Sequence, residues 1–221
     1  MNLILKVVTG SRLHNLNKPD SDTDYRGIFL DEMENILSPF RKPVKTLWIE
    51  GDEDNTAYEL REFANEAVHG TPNILEILFS NQVIDAVRTG SDLIENRKKF
   101  LDSANILQSY RNYAHNQYNK MNLFDPDERT PKFAVAYLRS LRQGVQLLKT
   151  GEMNSQVLPE ERDFLMEIKY EFDKVKHIPL LSQKFSELQQ EMTEAYANSP
   201  KLKPDKEWIE KFIINAYTPV V

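Results

Sequence analysis

The spacing of apolar residues divides this chain into two parts. Up to about residue 60, short apolar runs alternate with polar loops, and this pattern predicts β-strands. The predicted strands lie at about 2–8, 23–30, 45–49 and 56–60. The last two strands are placed to form a hairpin, whereas residues 31–38 fit either a short helix or a loop.

Beyond Leu60 the apolar residues recur with the period of an amphipathic helix. A first helix is expected to stop at Gly70, and Thr71-Pro72 begins a second helix that is apolar on nearly all sides and should be buried. Asp92 and Glu95 have the spacing of a helix-capping pair. Further helices are predicted at about 101–121, 131–149, 160–176, 180–197 and 205–216, with Pro179, Pro200 and Pro204 between the later ones. We therefore expect an α+β protein, with a small α/β head over residues 1–90 and an all-helical domain over residues 91–221.

Composition is that of an ordinary globular protein of 221 residues, with 28% charged and 40% hydrophobic residues. No apolar stretch approaches the roughly 20 residues that cross a bilayer. The N-terminal residues have the pattern of a strand and not of a signal peptide. We therefore expect a cytoplasmic protein without a membrane partner. The chain has no cysteine, which excludes disulfides and thiolate zinc sites. The net charge of −6 argues against a strongly basic nucleic-acid binder, although a local basic patch remains compatible with it.

Two aspartates and a Gly-Ser step near the N-terminus are the best candidates for chemistry. Gly10-Ser11 follows the first predicted strand, and Asp22 and Asp24 lie at the start of the second. Alternate residues of a strand share a face, so the two carboxylates should project together. They would repel each other unless a cation lies between them, and hard ions such as Mg²⁺ prefer oxygen ligands. Because glycine has no Cβ, the turn can bring backbone N–H groups close to a phosphate. The pattern predicts a site for a metal–nucleoside triphosphate.

This arrangement resembles the signature of the DNA polymerase β-type nucleotidyltransferases, and most closely the RlaP/YcgL-like branch. The matching residues are Gly10, Ser11, Arg12, Ser21, Asp22, Asp24, Arg26 and Gly27. Where the family usually has a second glycine after the turn, this chain has Asn15, a residue type that tolerates the left-handed backbone conformation. The resemblance implies a polymerase β-like head with a mixed sheet and a helical domain that closes the cleft.

The resemblance also implies which residues form the site. Three acids would hold two Mg²⁺ ions, for which Mn²⁺ could substitute: Asp22, Asp24 and, on a neighbouring strand just before a helix, Glu59, with Asp54 as the alternative third acid. Gly10, Ser11 and Arg12 would contact the phosphates. Lys132 and Arg139 would close over them, because the segment that contains them resembles the family's Lys-x-Ala-x-x-x-x-Arg helix.

Several of these charged residues also have a plausible structural role. Arg12 is either a phosphate contact or a solvated loop charge, and Lys132 with Arg139 could form a solvated basic stripe. Arg26 is expected to pair with a carboxylate. Glu76 lies within a nearly apolar helix, where an unpaired carboxylate is costly, so a tie to an arginine or to backbone N–H groups is expected.

The expected activity is metal-dependent transfer of a nucleoside monophosphate from a nucleoside triphosphate to an acceptor hydroxyl, with release of pyrophosphate. The acceptor could be an RNA 3′ end. The alternatives are an antitoxin-like regulator that attaches AMP to a protein hydroxyl, and a nucleotide-binding module that has lost its catalytic activity.

Overall fold

A five-stranded mixed sheet forms the N-terminal part of the molecule. The computed structural model describes residues 2–41, 44–49, 55–123 and 129–218. The strands are β1 (Asn2–Thr9), β2 (Asp24–Leu30), β3 (Thr46–Trp48), β4 (Thr56–Glu59) and β5 (Val83–Ala86), in the order β3-β4-β2-β1-β5. The β2–β4 pair is parallel and the other pairs are antiparallel, so the expected mixed sheet and the β3–β4 hairpin are both confirmed.

Short helices accompany the sheet and long helices follow it. The first group is α1 (Gly10–Leu13), α2 (Met33–Leu37), α3 (Leu60–Val68), α4 (Pro72–Leu78) and α5 (Arg88–Glu95), followed by a 3₁₀ turn over Arg97–Phe100. The second group is α6 (Ser103–Leu123), α7 (Thr130–Thr150), α8 (Pro159–Tyr170), α9 (Lys174–Asn198) and α10 (Lys206–Tyr217). The expected α+β class is confirmed. Among the helices of the described residues, none combines the length and the apolar character that a membrane crossing requires.

Three local expectations need correction. β5 was not predicted, because its four residues at the sheet edge give too short a pattern. Asp92 and Glu95 lie inside α5 and do not open a new helix. Pro179 does not separate two helices but lies within α9, in its second turn, at the loss of one backbone hydrogen bond.

One continuous apolar core runs through the chain. It joins β1 residues such as Ile4 and Val7 to the buried face of α4 and then to the packed bundle of α6, α7 and α9. Every residue of α4 except Asn73 is buried, as expected for a helix that is apolar on nearly all sides. The division of the chain at residue 90 stays a prediction.

Candidate active site

The turn after β1 lies directly against one of the two aspartates. Thr9, the last residue of β1, is paired in register with Asp24, the first residue of β2. Gly10 has a φ of +66°, and a Cβ added to it would overlap the Asp24 carboxylate. The missing side chain therefore allows the turn and the carboxylate to occupy the same corner of the sheet.

Asp22 lies just outside the strand, in the loop that leads to Asp24. Its side chain is exposed, whereas that of Asp24 is half-buried. Arg12 holds this loop in place: its Nε donates to the Asp22 carbonyl at 3.0 Å, and its Nη2 donates to the carbonyl of Ser21. In this structure Arg12 thus positions the acidic loop, and its contact with a phosphate stays a prediction.

A cleft of about 530 Å³ separates this corner from α7 and α8. Six of the eight expected site residues line it: Gly10, Ser11, Asp22, Asp24, Lys132 and Arg139. Gly10 and Lys132, which are 122 positions apart in the chain, thus line the same cleft, and their roles at the site stay predictions. The two exceptions are Arg12 and Glu59.

The backbone at Asn15, just beyond the Gly-Ser turn, has the left-handed conformation that asparagine tolerates. Asn15 has a φ of +57°, the only positive value at a non-glycine residue within the described segments. Asparagine tolerates this left-handed conformation better than most residues, so the turn keeps its course without a glycine here.

A buried polar cluster forms the wall of the cleft between the head and α7. Arg139 is ion-paired with Glu76 of α4, which confirms the expected tie of Glu76 to an arginine. Burial lowers the pKa of Arg139 to about 10, so it stays charged at neutral pH. Because its charge is balanced by Glu76, Arg139 fixes α7 against α4 and forms part of the cleft wall.

His14 belongs to the same cluster. Its Nδ1 lies 2.7 Å from the carbonyl of Ser155, which makes Nδ1 the protonated nitrogen, and its Nε2 lies 3.6 Å from Glu76. Burial, and then the charge of Arg139, lowers the pKa of His14 well below its usual value. His14 is therefore neutral at physiological pH and connects the Gly-Ser turn to the loop after α7.

Glu59 is not brought to the two aspartates. β4 is parallel to β2, with Glu59 in register with Phe29, five residues beyond Asp24. At about 3.3 Å per residue, that is roughly 16 Å along the strand.

The buried Glu59 carboxylate instead caps α3, accepting from the backbone N–H groups of Arg61 and Glu62 at 3.0 and 3.2 Å, and it also accepts from the Tyr217 hydroxyl. The expectation that Glu59 lies beside Asp22 and Asp24 is therefore corrected. Glu59 is the residue that begins α3, and the unpaired backbone N–H groups of the first helical turn need an acceptor. The alternative, Asp54, lies outside the described residues.

Two further cleft residues come from α8 and were not predicted. Lys169 Nζ and the Tyr170 hydroxyl both donate to the Leu16 carbonyl, at 2.8 and 3.0 Å. They hold the loop after the Gly-Ser turn while facing the cleft. No local pattern marks them, because only the packing of α8 onto the head brings them there.

A mixed sheet carries the Gly-Ser turn and the Asp-x-Asp pair at one corner, and helices lie across the opening of the cleft. This arrangement is that of a nucleotidyltransferase of the DNA polymerase β type. The family of RlaP, the RNA repair pathway DNA polymerase beta family, matches residues 1–215, and the chain belongs to that family. A search of curated proteins finds no match. Proteins of this type generally use divalent metal ions and nucleoside triphosphates.

Proposed function

We propose that this protein transfers a nucleoside monophosphate from a nucleoside triphosphate to an acceptor hydroxyl. The acceptor oxygen forms a bond to the α-phosphorus and loses its proton, while the bond from that phosphorus to the bridging oxygen breaks and pyrophosphate leaves. The observation that carries the proposal is the convergence of Asp22 and Asp24 with Gly10, Ser11 and Lys132 on one cleft.

The donor set of the cleft fits a hard divalent cation. Asp22 and Asp24 offer two carboxylates in one opening, and Mg²⁺ is commonly held by one or two carboxylates together with substrate phosphates. Within the described ranges, no group of three His, Cys, Asp or Glu side chains is arranged to hold a metal. With substrate phosphates as further ligands, Asp22 and Asp24 would hold Mg²⁺, or Mn²⁺ in its place, and the ion would neutralise charge that develops on the phosphates. A second ion would need a further ligand from outside this pair.

The chain's own residues supply binding and orientation. Gly10 and Ser11 would approach the phosphates closely, and Lys132 on α7 would add a positive charge from the opposite wall. Arg139 keeps this wall in place through Glu76. Arg12 and Lys169 hold the loop between the Gly-Ser turn and β2, Arg12 at the Asp22 carbonyl and Lys169 at the Leu16 carbonyl.

Asparagine substitutions at the acidic pair test the activity. We expect Asp22→Asn, Asp24→Asn and the double variant to lower pyrophosphate release by about 100-fold or more, because several kcal/mol of charge stabilisation is lost. Asp20→Asn is the matched control, since Asp20 is exposed in the same loop and does not line the cleft. Pyrophosphate release is measured with each nucleoside triphosphate, and folding is checked by circular dichroism. Full turnover in the double variant would overturn the site.

The acceptor is identified by transfer of label. An α-labelled nucleoside triphosphate is incubated with RNA carrying a free 3′ hydroxyl and, separately, with a protein mixture. Label on the RNA 3′ end supports the RNA acceptor, and label on a protein hydroxyl supports AMP transfer to protein.

A binding module without turnover is the second candidate. Two observations support it: the Glu59 carboxylate is engaged in capping α3, and the Glu76 carboxylate is paired with Arg139. Calorimetry with Mg²⁺ and a nucleoside triphosphate, followed by the pyrophosphate assay, separates binding from turnover.

A further inference from the structure

A second opening adjoins the catalytic cleft at Asp24. Its volume is about 240 Å³, and three residues, Gly10, Asp24 and Glu76, line both this opening and the cleft. The other residues that line the second opening are Thr9, Arg26, Tyr58 and Asn73. One of the two proposed metal-binding carboxylates therefore borders two separate spaces.

Arg26 brings to this opening a positive charge that is not paired with any carboxylate of the described residues. It lies two residues after Asp24 on β2, so the two side chains are on the same face of the sheet. Its guanidinium folds back along the strand, where Nη1 donates to the Tyr25 carbonyl at 3.1 Å. The expected pairing of Arg26 with a carboxylate is therefore corrected for this part of the chain: the guanidinium takes a backbone partner, and most of its N–H donors remain available.

The lining of the second opening is polar. Apart from Gly10, every residue that lines it has a polar side chain, and no aliphatic side chain of the described residues contributes to it. Tyr58 is half-buried and Asn73 is exposed, and neither side chain forms a hydrogen bond within the described segments. Arginine, tyrosine and asparagine are among the side chains that contact the phosphates and sugars of nucleic acids.

The charges that border the opening leave Arg26 as its surplus cation. Glu76 is already paired with Arg139. Asp24 is a proposed ligand of the divalent ion, which would balance its charge. A guanidinium in this position can hold a phosphate through two parallel N–H···O bonds.

We propose that the second opening receives the end of a nucleic-acid acceptor, and that Arg26 holds the phosphate next to the nucleoside whose hydroxyl reacts. In-line displacement places the attacking and leaving oxygens on opposite sides of the phosphorus, so a triphosphate in the cleft leaves the acceptor to approach by a separate route. The inference rests on the proposed function for the reaction and goes beyond it in naming the acceptor class and the residue that selects it.

RNA binding without turnover is the direct test. A short RNA with a free 3′ hydroxyl and a 5′ fluorescent label is titrated with the full chain by anisotropy, with Mg²⁺ and no nucleoside triphosphate. We expect Arg26→Gln to weaken binding by about 10-fold or more and to reduce the salt slope of log affinity by about 0.7, the share of one phosphate contact. No RNA binding by the wild type would overturn the proposal.

Arg88→Gln is the matched control. Arg88 is exposed at the start of α5 and lines neither the cleft nor the second opening. This variant should bind RNA as the wild type does, and equal losses in Arg26→Gln and Arg88→Gln would contradict a specific contact. Circular dichroism checks that both variants fold.

An uncharged linkage in the RNA tests the contact itself. A methylphosphonate replaces the phosphate next to the terminal nucleoside. The wild type should lose about the same factor of affinity for this RNA as Arg26→Gln loses for the natural one. Arg26→Gln should lose little more on the modified RNA, because the same interaction is already absent. Independent losses that multiply would overturn the assignment of Arg26 to this phosphate.

Asn73→Asp tests the opening without altering Arg26. Asn73 is the second residue of α4, where a negative charge favours the helix, so the melting temperature should be unchanged or raised. The new carboxylate should nevertheless weaken RNA binding, because it repels the phosphate and competes for Arg26. Unchanged RNA affinity in Asn73→Asp would contradict the placement of the acceptor, even if Arg26→Gln fails to fold.

Turnover distinguishes this inference from the proposed activity. With RNA as acceptor, Arg26→Gln should raise the KM for RNA and leave the KM for the nucleoside triphosphate unchanged. If the wild type releases pyrophosphate but labels a protein and not RNA, the activity stands and the acceptor assignment fails. If RNA binds in an Arg26-dependent manner without any pyrophosphate release, the proposed activity fails and the RNA site stands.

Discussion

At the scale of single residues, Gly10 carries two constraints at one position. Its φ of +66° is unfavourable for most residues with a side chain, and its Cβ position is occupied by the Asp24 carboxylate. A substitution there must therefore strain the turn and also move an acid of the proposed site.

We expect Gly10→Ala to lower the free energy of unfolding by at least about 1 kcal/mol and to abolish pyrophosphate release. The strain destabilises the turn, and the displaced Asp24 carboxylate leaves its position in the cleft. Urea unfolding measures the first effect, and the pyrophosphate assay measures the second.

Gly151 provides the matched control. It has the same φ of +66°, but a Cβ there would meet its nearest neighbours at 3.5 and 3.8 Å, an ordinary contact distance. Gly151→Ala should therefore lose a similar amount of stability and keep its turnover. Equal turnover in the two variants would contradict the importance of the Gly10–Asp24 contact.

At the scale of elements, buried charged side chains join helices that are far apart in the chain. Glu76 and Arg139 link α4 to α7, and Glu59 links the start of α3 to Tyr217 at the end of α10. Burial and the bond to Glu59 raise the pKa of Tyr217, so its hydroxyl remains a donor at neutral pH. Removal of one partner from such a pair leaves the other buried without compensation.

Glu59→Ala tests whether this carboxylate is a helix cap or a metal ligand. We expect a loss of about 2–3 kcal/mol in the free energy of unfolding, because two backbone N–H groups and the Tyr217 hydroxyl lose their acceptor. Turnover per folded molecule should be retained. Unfolding in urea and the pyrophosphate assay give the two measurements.

Glu62→Ala is the control for this change. Glu62 lies in the same first turn of α3, but its salt bridge to the exposed Lys45 is on the surface, so its loss should cost less than about 1 kcal/mol. If Glu59→Ala removes turnover without altering stability, the capping role is contradicted and a direct role at the site is favoured.

At the scale of the whole molecule, stability should depend on pH through the buried His14. Groups facing it from the packed elements are Arg139, Lys169, Asp24 and Glu76. Burial lowers the pKa of His14 in the folded state, so below about pH 6.5 the unfolded chain binds a proton that the folded chain does not.

The contribution of His14 to the free energy of unfolding is therefore fully present above about pH 6.5 and is lost as the pH falls below that value. We expect the free energy of unfolding to decrease by about 1.4 kcal/mol per pH unit from this group until its folded-state pKa is reached. Urea unfolding at pH 7.5, 6.5 and 5.5 measures the slope. His14→Gln, which has no group that titrates in this range, should show a shallower slope; identical slopes would contradict a neutral buried His14.

Much of the fold could be predicted from local patterns. The long helices from α6 onward are periodic over many residues, and the Gly-Ser and Asp-x-Asp motifs lie within 15 residues of each other, so both signals are contained in short segments. β5 and the continuous helix α9 could not be predicted, because the first is a short edge strand and the second includes a proline.

By itself, the sequence determined the α+β class, the acidic pair beside the Gly-Ser turn, and the helix that carries Lys132 and Arg139, since each depends on spacing along the chain. Only the tertiary structure decided that Glu59 caps α3, that Arg12 holds the acidic loop, and that Lys169 faces the cleft. The physical reason is that a polar side chain binds the nearest unsatisfied group in space, and helix packing sets which groups are near.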